Sequence, residues 1–444
     1  MKGGKLLKYI DKNMPVPAAL EAEHFIPISK FALLEHFEKL TKNGNDKNYK
    51  YFFRYLIIWR HQKYRQRLNQ LKKCYLPFSP DRDTLRVQKY TKDELTQLQN
   101  TIVSEISALM QPANYKQITQ NGLNNIFAAE SPHGLQLMVD LSEFEELLLF
   151  SRGLYTERRQ RRIVSTLFFK KESYKVKVFQ RLFLLLKLKP KQQRLKEIMA
   201  EKSIGKKKAT KLLNKYRSTL PERVNDDHIY LKLFKNIPQA DLKMLFPNTR
   251  VQLKPLDKLK LSITAGGGSV GSIFATATKL AAAANPIAAA GTLLGLVGVV
   301  FRQVTKFFNQ RTKYMMLLAQ KLYFHNLASN RGVLTLLVDR AEEEEIKETI
   351  LLYNFLSHNK VKRQHLSKLK RHIENYFFKR FGARIHFRID DAFALLEEDG
   401  IVKVDAAGNI AVLDTKTACQ HLQKQWQRSV TDNDLPDKDD SGEL

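Results

Sequence analysis

Four consecutive glutamates, Glu342, Glu343, Glu344 and Glu345, form the densest acidic cluster of the sequence. Such a run could hold a cation or dock a basic partner. Its position suggests a plainer role. The glutamates open a predicted helix, Ala341 to Leu356, where acids in a solvated first turn suit the helix dipole. Glu344 can also pair with Lys347 three residues on. A second group, Asp140, Glu143, Glu145 and Glu146, cannot share one helix face, so paired-carboxylate acid-base chemistry is unsupported. His133, in Ser131-Pro132-His133-Gly134, falls in a predicted loop with no base partner and no metal-ligand spacing. Gly266-Gly267-Gly268-Ser269-Val270-Gly271 matches G-x-G-x-x-G formally. A dinucleotide site needs an acid about 20 residues further on, and the residue there is Gly291. Neither H-E-x-x-H, nor G-x-S-x-G, nor a kinase signature occurs. Cys74 and Cys419 stand far apart, which excludes a disulfide framework and a cysteine-built zinc site. No residue is assigned as catalytic, cofactor-binding or metal-ligating, and no cofactor is expected.

Charge says more. The chain has 444 residues, with 75 Lys+Arg against 45 Asp+Glu and a formal charge of +30. Between Ser151 and Ser218 there are 22 Lys+Arg and four acids, so this block holds more than half of the surplus. Arg158, Arg159, Arg161 and Arg162 begin it, and Lys206, Lys207 and Lys208 follow later. These seven are the candidate lipid- or phosphate-binding residues, because a basic surface of this size attracts phosphate on nucleic acid or on headgroups. Anionic lipids attract such segments with about 1 kcal/mol per Lys or Arg near the surface.

Position favours lipid. Leu261 to Phe301 contains one charge, Lys279, between uncharged runs of 18 and 22 residues. As helix, these residues would extend about 60 Å, against a bilayer core of about 30 Å. Two passes turning near Asn285-Pro286 are therefore expected. Lys254, Lys258 and Lys260 precede the run, and Arg302, Lys306, Arg311 and Lys313 follow it, placing both ends on the cytoplasmic side. The small-residue pairs Gly267/Gly271 and Gly291/Gly295 would let the two helices pack closely. The competing reading is an Ala/Gly-rich hairpin buried in a soluble core. The start, MKGGKLLKYIDKNMPVP, lacks the apolar core of a signal peptide and reads as no transit peptide.

The elements around these features are mostly helical. Asp46 to Cys74 repeats apolar residues at helical spacing and stops at Tyr75-Leu76-Pro77. Thr91-x-x-Glu94 is a capping box for the next helix. Strands are expected at Ile163–Phe169, Tyr174–Phe179 and Ile229–Lys235, with a basic helix from Ile204 to Tyr216 and a short helix at Gln239–Leu245. Lys313 to Ala328 reads as helix. Residues 360–382 form a helix ended by Gly382, followed by a short strand Arg384–Phe387, a helix Asp390–Asp399 and a hairpin, Ile401–Val404 with Ile410–Leu413. That is the order of a winged helix, but its third helix carries Asp390, Asp391, Glu397, Glu398 and Asp399, which DNA phosphates would repel. Protein docking suits it better.

The expected organisation is a mostly helical domain (1–150), a basic α+β domain (151–255), a transmembrane hairpin (256–305), a connector with the EEEE helix (306–358), a winged-helix-like domain (359–430) and a disordered acidic tail (431–444). The fold class expected is mainly α with α+β parts, flanking that two-helix transmembrane hairpin.

Particular segments also resemble a family. Phe25-Ile26-Pro27-Ile28, Tyr75-Leu76-Pro77-Phe78 and Gly134-Leu135-Gln136-Leu137 are among them, together with Glu143-Phe144-Glu145-Glu146. The strongest are Leu231 to Pro238 with Ala240 to Pro247, and Asp339-Arg340-Ala341 running through the four glutamates to Lys347-Glu348. In combination, the sequence resembles the uncharacterised family called domain of unknown function 3754, which includes the mitochondrial transmembrane protein 143 of animals. The resemblance implies two membrane helices between the Pro238 and Glu342 motifs, and no activity. Lacking a transit peptide, the chain reads as a bacterial relative in the inner membrane with both termini cytoplasmic. The expected function is a non-enzymatic membrane scaffold or sensor whose basic domain contacts anionic headgroups. The alternatives are a membrane-tethered nucleic-acid-binding protein and an enzyme without a recognisable motif. Expected partners are membrane lipids, with a possible protein partner for the C-terminal domain.

Overall fold

The computed structural model describes residues 23–40, 47–81, 85, 87–128, 136–162, 171–218, 220, 221, 224–252, 305 and 325–433. Helices α1 (Lys30–Glu38), α2 (Lys47–Tyr75) and α3 (Lys92–Met110) come first. Ser29 caps α1, and the Thr91/Glu94 capping box opens α3. After β1 (Lys116–Gln117), α4 (Gln120–Ala128) and β2 (Gln136–Met138) come two long strands, β3 (Phe144–Arg162) and β4 (Lys171–Leu188). The chain then makes α5 (Lys191–Lys202), α6 (Lys206–Arg217), β5 (Ile229–Pro238), a 3-10 segment (Gln239–Leu245) and β6 (Arg250–Gln252). Beyond the undescribed stretch stand β7 (Asn326–Ser329), α7 (Arg331–His358), α8 (Leu366–Phe381), α9 (Ile389–Glu398), the hairpin β8 (Val402–Val404) and β9 (Ile410–Val412), and α10 (Thr415–Asn433).

The main sheet has five strands in the order β1-β3-β4-β5-β7, and every described pairing in it is antiparallel. Its centre is buried on both faces. Phe150, Phe183, Leu185, Leu231 and Leu233 pack on the second half of α2, on α3 and on the start of α7. Leu182, Leu184, Leu186 and Phe234 pack on the opposite side with Leu123 of α4 and Leu242 of the 3-10 segment. A strand covered on both sides reads as a continuous apolar run rather than an alternation, which is how Leu182 to Leu186 appears. A further core joins the first half of α2 and the last turns of α7 to α1, α8, α9, α10 and the hairpin.

Helix α7 runs through two of these cores and is buried on most sides. Its start is pinned by Asn330, a non-glycine residue at φ 50°. The Asn330 side-chain oxygen accepts from the Leu231 N–H (3.2 Å) and from the Tyr75 hydroxyl (3.3 Å). Residues Glu23 to Ser29 form a strap across the middle of α7. The strap is joined to the C-terminal part by a parallel bridge, Glu23 to Ile385, and by His386 N–H donating to the Glu23 carbonyl at 2.8 Å.

The structure corrects the expected fold class. It is a mixed α+β protein built on a five-stranded antiparallel sheet, not a mainly α one. The expected transmembrane hairpin is not supported: among the described residues no helix is long and apolar enough to cross a membrane. Helix α2 carries charges from end to end, and α7 carries a dense charged stretch from Asp339 to Glu348. Residues 256–304, where the hairpin was expected, lie outside the described residues, as do Ile163–Phe169 and residues 306–324. Residues 326–328, expected as the end of a helix, lie in strand β7, where Ala328 pairs with Leu233 of β5 and Asn326 with Phe234. Around Asp140, a short 3-10 turn leads directly into β3, so Asp140 to Phe150 opens the sheet. Of Arg384–Phe387, one bridge residue, Ile385, makes the strand contact.

Gly153 of β3 adopts φ +72°, and a Cβ there would lie 2.5 Å from Gln180 Oε1 and 2.9 Å from its Cβ. Both the positive φ and the cross-strand contact demand glycine. Gly153→Ala should lower unfolding stability by about 2 kcal/mol in urea titration. An unchanged midpoint would show that β3 does not need this conformation.

Candidate functional site

The seven basic candidates do not form one patch. Arg158 lies exposed on β3, followed in the same strand by Arg159, Arg161 and Arg162. Lys206, Lys207 and Lys208 lie exposed in the first turn of α6, whose buried face, Ala209 and Leu213, packs on Ile198 of α5. Helices α5 and α6 are anchored just before β3. There Glu143 accepts from buried Arg194 (2.9 Å) and faces Arg217 (3.6 Å). Arg158 is fourteen residues, about 45 Å of strand, beyond the start of β3.

The arginine end of β3 has its own geometry. Pairing of β5 with β4 ends at Val178, and β1 reaches β3 only at Phe150 and Ser151. Strands β3 and β4 pair for seven more residues, from Thr156 opposite Lys177 to Arg162 opposite Lys171. This ribbon extends about 24 Å past the neighbouring strands. Its sequence holds seven basic and two acidic residues. The exposed Arg158 is paired in register with the exposed Lys175, and Lys177 is exposed beside them. Like charges directly opposite one another destabilise an antiparallel pair. The α6 lysines oppose their surroundings too, since they stand at the positive end of the helix dipole.

The four glutamates occupy a different environment from the one expected. They lie in the middle of α7, which begins ten residues before Ala341, and Glu344 is fully buried. Each meets a cation or donor of this chain. Glu342 faces His61 of α2 at 3.1 Å, and Glu343 accepts from Arg340 at 2.9 Å. Glu345 lies 3.7 Å from Arg60, and burial pushes its carboxyl up. Glu344 Oε1 accepts from Arg152 (2.7 Å) and Lys347 (2.6 Å), while Oε2 accepts from the Ile26 N–H (3.0 Å). Lys347 also donates to the Ile26 carbonyl at 2.7 Å, and burial pushes its ammonium down. These carboxylates hold the molecule's own strands and helices, so the surface they could offer a protein partner is small. Arg60 itself is buried, donating to Asp399 beyond α9 and to the Leu395 carbonyl (3.1 Å). The expected packing glycines, Gly267, Gly271, Gly291 and Gly295, lie outside the described residues. Among the described residues no group of three His, Cys, Asp or Glu is placed to hold a metal.

Sequence reasoning missed Arg60, Arg152, Arg181, Arg340 and Glu348. One signal was available for Arg152: a charge followed by glycine, interrupting an apolar strand. Glu348 showed none. It is enclosed between Asn114, which donates to it at 3.3 Å, and the field of Arg388. Burial pushes its carboxyl up to about 8, with Glu344 and Glu345 adding repulsion.

Residues 146–332 match the model of a family described as protein of unknown function (DUF3754). The matched range contains the ribbon, Arg152 and the anchor of α7, but not the Glu342–Glu345 run. No solved structure matches the chain.

Glu348 makes stability depend on pH. Between pH 4.5, the ordinary glutamate value, and about 8, the folded chain keeps a proton that the unfolded chain releases. Its stabilising contribution is therefore complete below pH 4.5 and is lost as pH rises through 8. Glu348→Gln keeps the acceptor for Asn114 and removes the titration. Relative to wild type it should gain up to roughly 4 kcal/mol in thermal or urea unfolding between pH 5 and pH 8.5. A constant difference across that range would mean that Glu348 ionises normally.

Proposed function

We propose that this protein is a non-enzymatic scaffold or sensor that docks on phosphate-rich anionic lipid surfaces through its projecting β3–β4 ribbon. One observation carries the reading. Seven strand pairs continue beyond the sheet on a two-stranded element that is marginal by itself, and two of them oppose like charges, Arg158 against Lys175 and Arg162 against Lys171. An anionic surface would neutralise that repulsion and supply the counter-charge the ribbon lacks. The ribbon's reach lets its cations meet a plane without the body of the protein touching it. The lysines of α6 form a second, separately placed basic patch. The acidic exposed residues near the C-terminal hairpin favour no contact with phosphate, which leaves that part for other contacts.

Co-sedimentation of the full chain with vesicles tests this. Binding to phosphatidylglycerol-containing vesicles should exceed binding to phosphatidylcholine and fall steeply with salt. Replacing Arg158, Lys175 and Lys177 together by glutamine should weaken partitioning roughly 100-fold, at about 1 kcal/mol per cation. Equal binding to neutral vesicles, or no loss in the triple variant, would overturn the reading. Single-stranded RNA displacing the protein from vesicles at low concentration would favour the nucleic-acid alternative.

A further inference from the structure

A second collection of cations lies inside the molecule, about 20 Å along β3 from the ribbon. Here the strap Phe25–Ser29, the strands β3 and β4 and the helix α7 enclose a cleft of about 290 Å³. This is near the lower end of the range for small-molecule sites, roughly 300–1,000 Å³. Its charged lining is Arg152, Arg181, Arg340, Glu343 and Lys347, with Ser29 and Gln180 as neutral polar neighbours.

The charges do not balance. Four cations share two carboxylates, Glu343 and Glu344. Arg152 and Lys347 both use Glu344 Oε1, and Arg340 uses Glu343. Arg181 donates to the Gln180 carbonyl at 2.8 Å and meets no carboxylate among the described residues. Among the described residues the surplus is two positive charges. The fold also forces two of these cations together: Arg152 and Arg181 are direct partners in the β3–β4 register. Opposed like charges on neighbouring strands cost stability, more so where water is partly excluded. Arg181 is half-buried, and both that burial and the nearby Arg340 and Arg152 oppose its charge.

Geometry favours recognition over mere crowding. Arg152 lies over the Phe25 ring, with its guanidinium carbon 4.4 Å from the centroid, and pairs with Glu344 at 2.7 Å. Gly153 at positive φ lets Gln180 lie close across the strand beside it. Arginine forks positioned in this way suit the oxygens of a phosphate group, which accept two parallel N–H donors. A surplus of two charges matches the charge of a phosphate monoester.

We propose that this cleft binds a phosphate group, as inorganic phosphate or as a monoester, through donors on Arg152, Arg181 and Arg340 with Lys347 as counter-charge. Phosphate chemistry is what the site recognises. A free ion, a small soluble ester or a lipid phosphate monoester would each present it. The site is independent of the ribbon and of its reading as a surface contact.

Arg181 gives a discriminating test, because the two roles of its charge have opposite signs. Thermal unfolding of the full chain would be followed with inorganic phosphate, glycerol phosphate or a short-chain phosphatidic acid, against chloride at matched ionic strength. Phosphate should raise the melting temperature with the logarithmic concentration dependence of a bound ligand, and chloride should not. Arg181→Gln relieves the repulsion, so it should melt at or above wild type without ligand. It should also weaken phosphate binding at least tenfold by calorimetry. A larger response to glycerol phosphate or to phosphatidic acid would support the site and identify the source it prefers. An equal response to chloride, or an unchanged phosphate affinity in Arg181→Gln, would overturn the proposal. So would a variant that loses stability without ligand, since Arg181 would then be a structural cation.

Discussion

The Glu344 carboxylate is fully enclosed, and much of the fold follows from the need to satisfy it. An unpaired charge in such a place would cost several kcal/mol, so every oxygen lone pair must find a donor. The donors come from three directions: Arg152 on the sheet, Lys347 one turn along α7 and the Ile26 N–H of the strap. Satisfying one carboxylate therefore locks the strap, the central helix and β3 into one arrangement. Arg60 performs the mirror role on the other side. It is a buried guanidinium on α2 between two apolar cores, tied to Asp399 and close to Glu345. Helix α7 can pass through both cores because its charges are paired wherever apolar packing gives out.

The excess of positive charge has a different distribution from its sequence block. Part is neutralised inside, at Arg60, Arg194 and Lys347. Part projects on the ribbon and on the first turn of α6. A smaller part converges on the cleft beside Glu344, where the β3–β4 register sets Arg152 opposite Arg181. The ribbon and the cleft lie on the same two strands and share one physical feature: cations opposed across a strand pair without enough carboxylates. In the first case the opposing charges face outward to a broad surface. In the second they face a bounded space suited to one compact anion.

Local signals were readable where the chain's own neighbours decide the conformation. The Thr91/Glu94 capping box, the helical period of α2, the stop at Gly382 with its left-handed conformation and the Val402–Val412 hairpin all appear where sequence reading put them. The sheet was the harder part. Its central strand is buried on both faces, so Leu182 to Leu186 lacks the alternation that marks a strand. The glutamate run misled for a related reason. Acids in sequence suggest solvent, and nothing local reveals that cations from elsewhere will enclose them.

The sequence by itself determined the helix ends that carry a local cap or stop, at Thr91 and Gly382, the hairpin turn and the net charge of +30, because these depend on composition or on residues a few places apart. It also placed the basic block between residues 151 and 218. Only the tertiary structure decided which charges are interior and which remain available. Arg152 and Ile26 stand 192 and 318 residues from Glu344, and no pattern along the chain announces contacts at such range. A buried ion pair is selected by the shape of the enclosed space and by the absence of water there, and both come into being only when the strands, strap and central helix have closed around it.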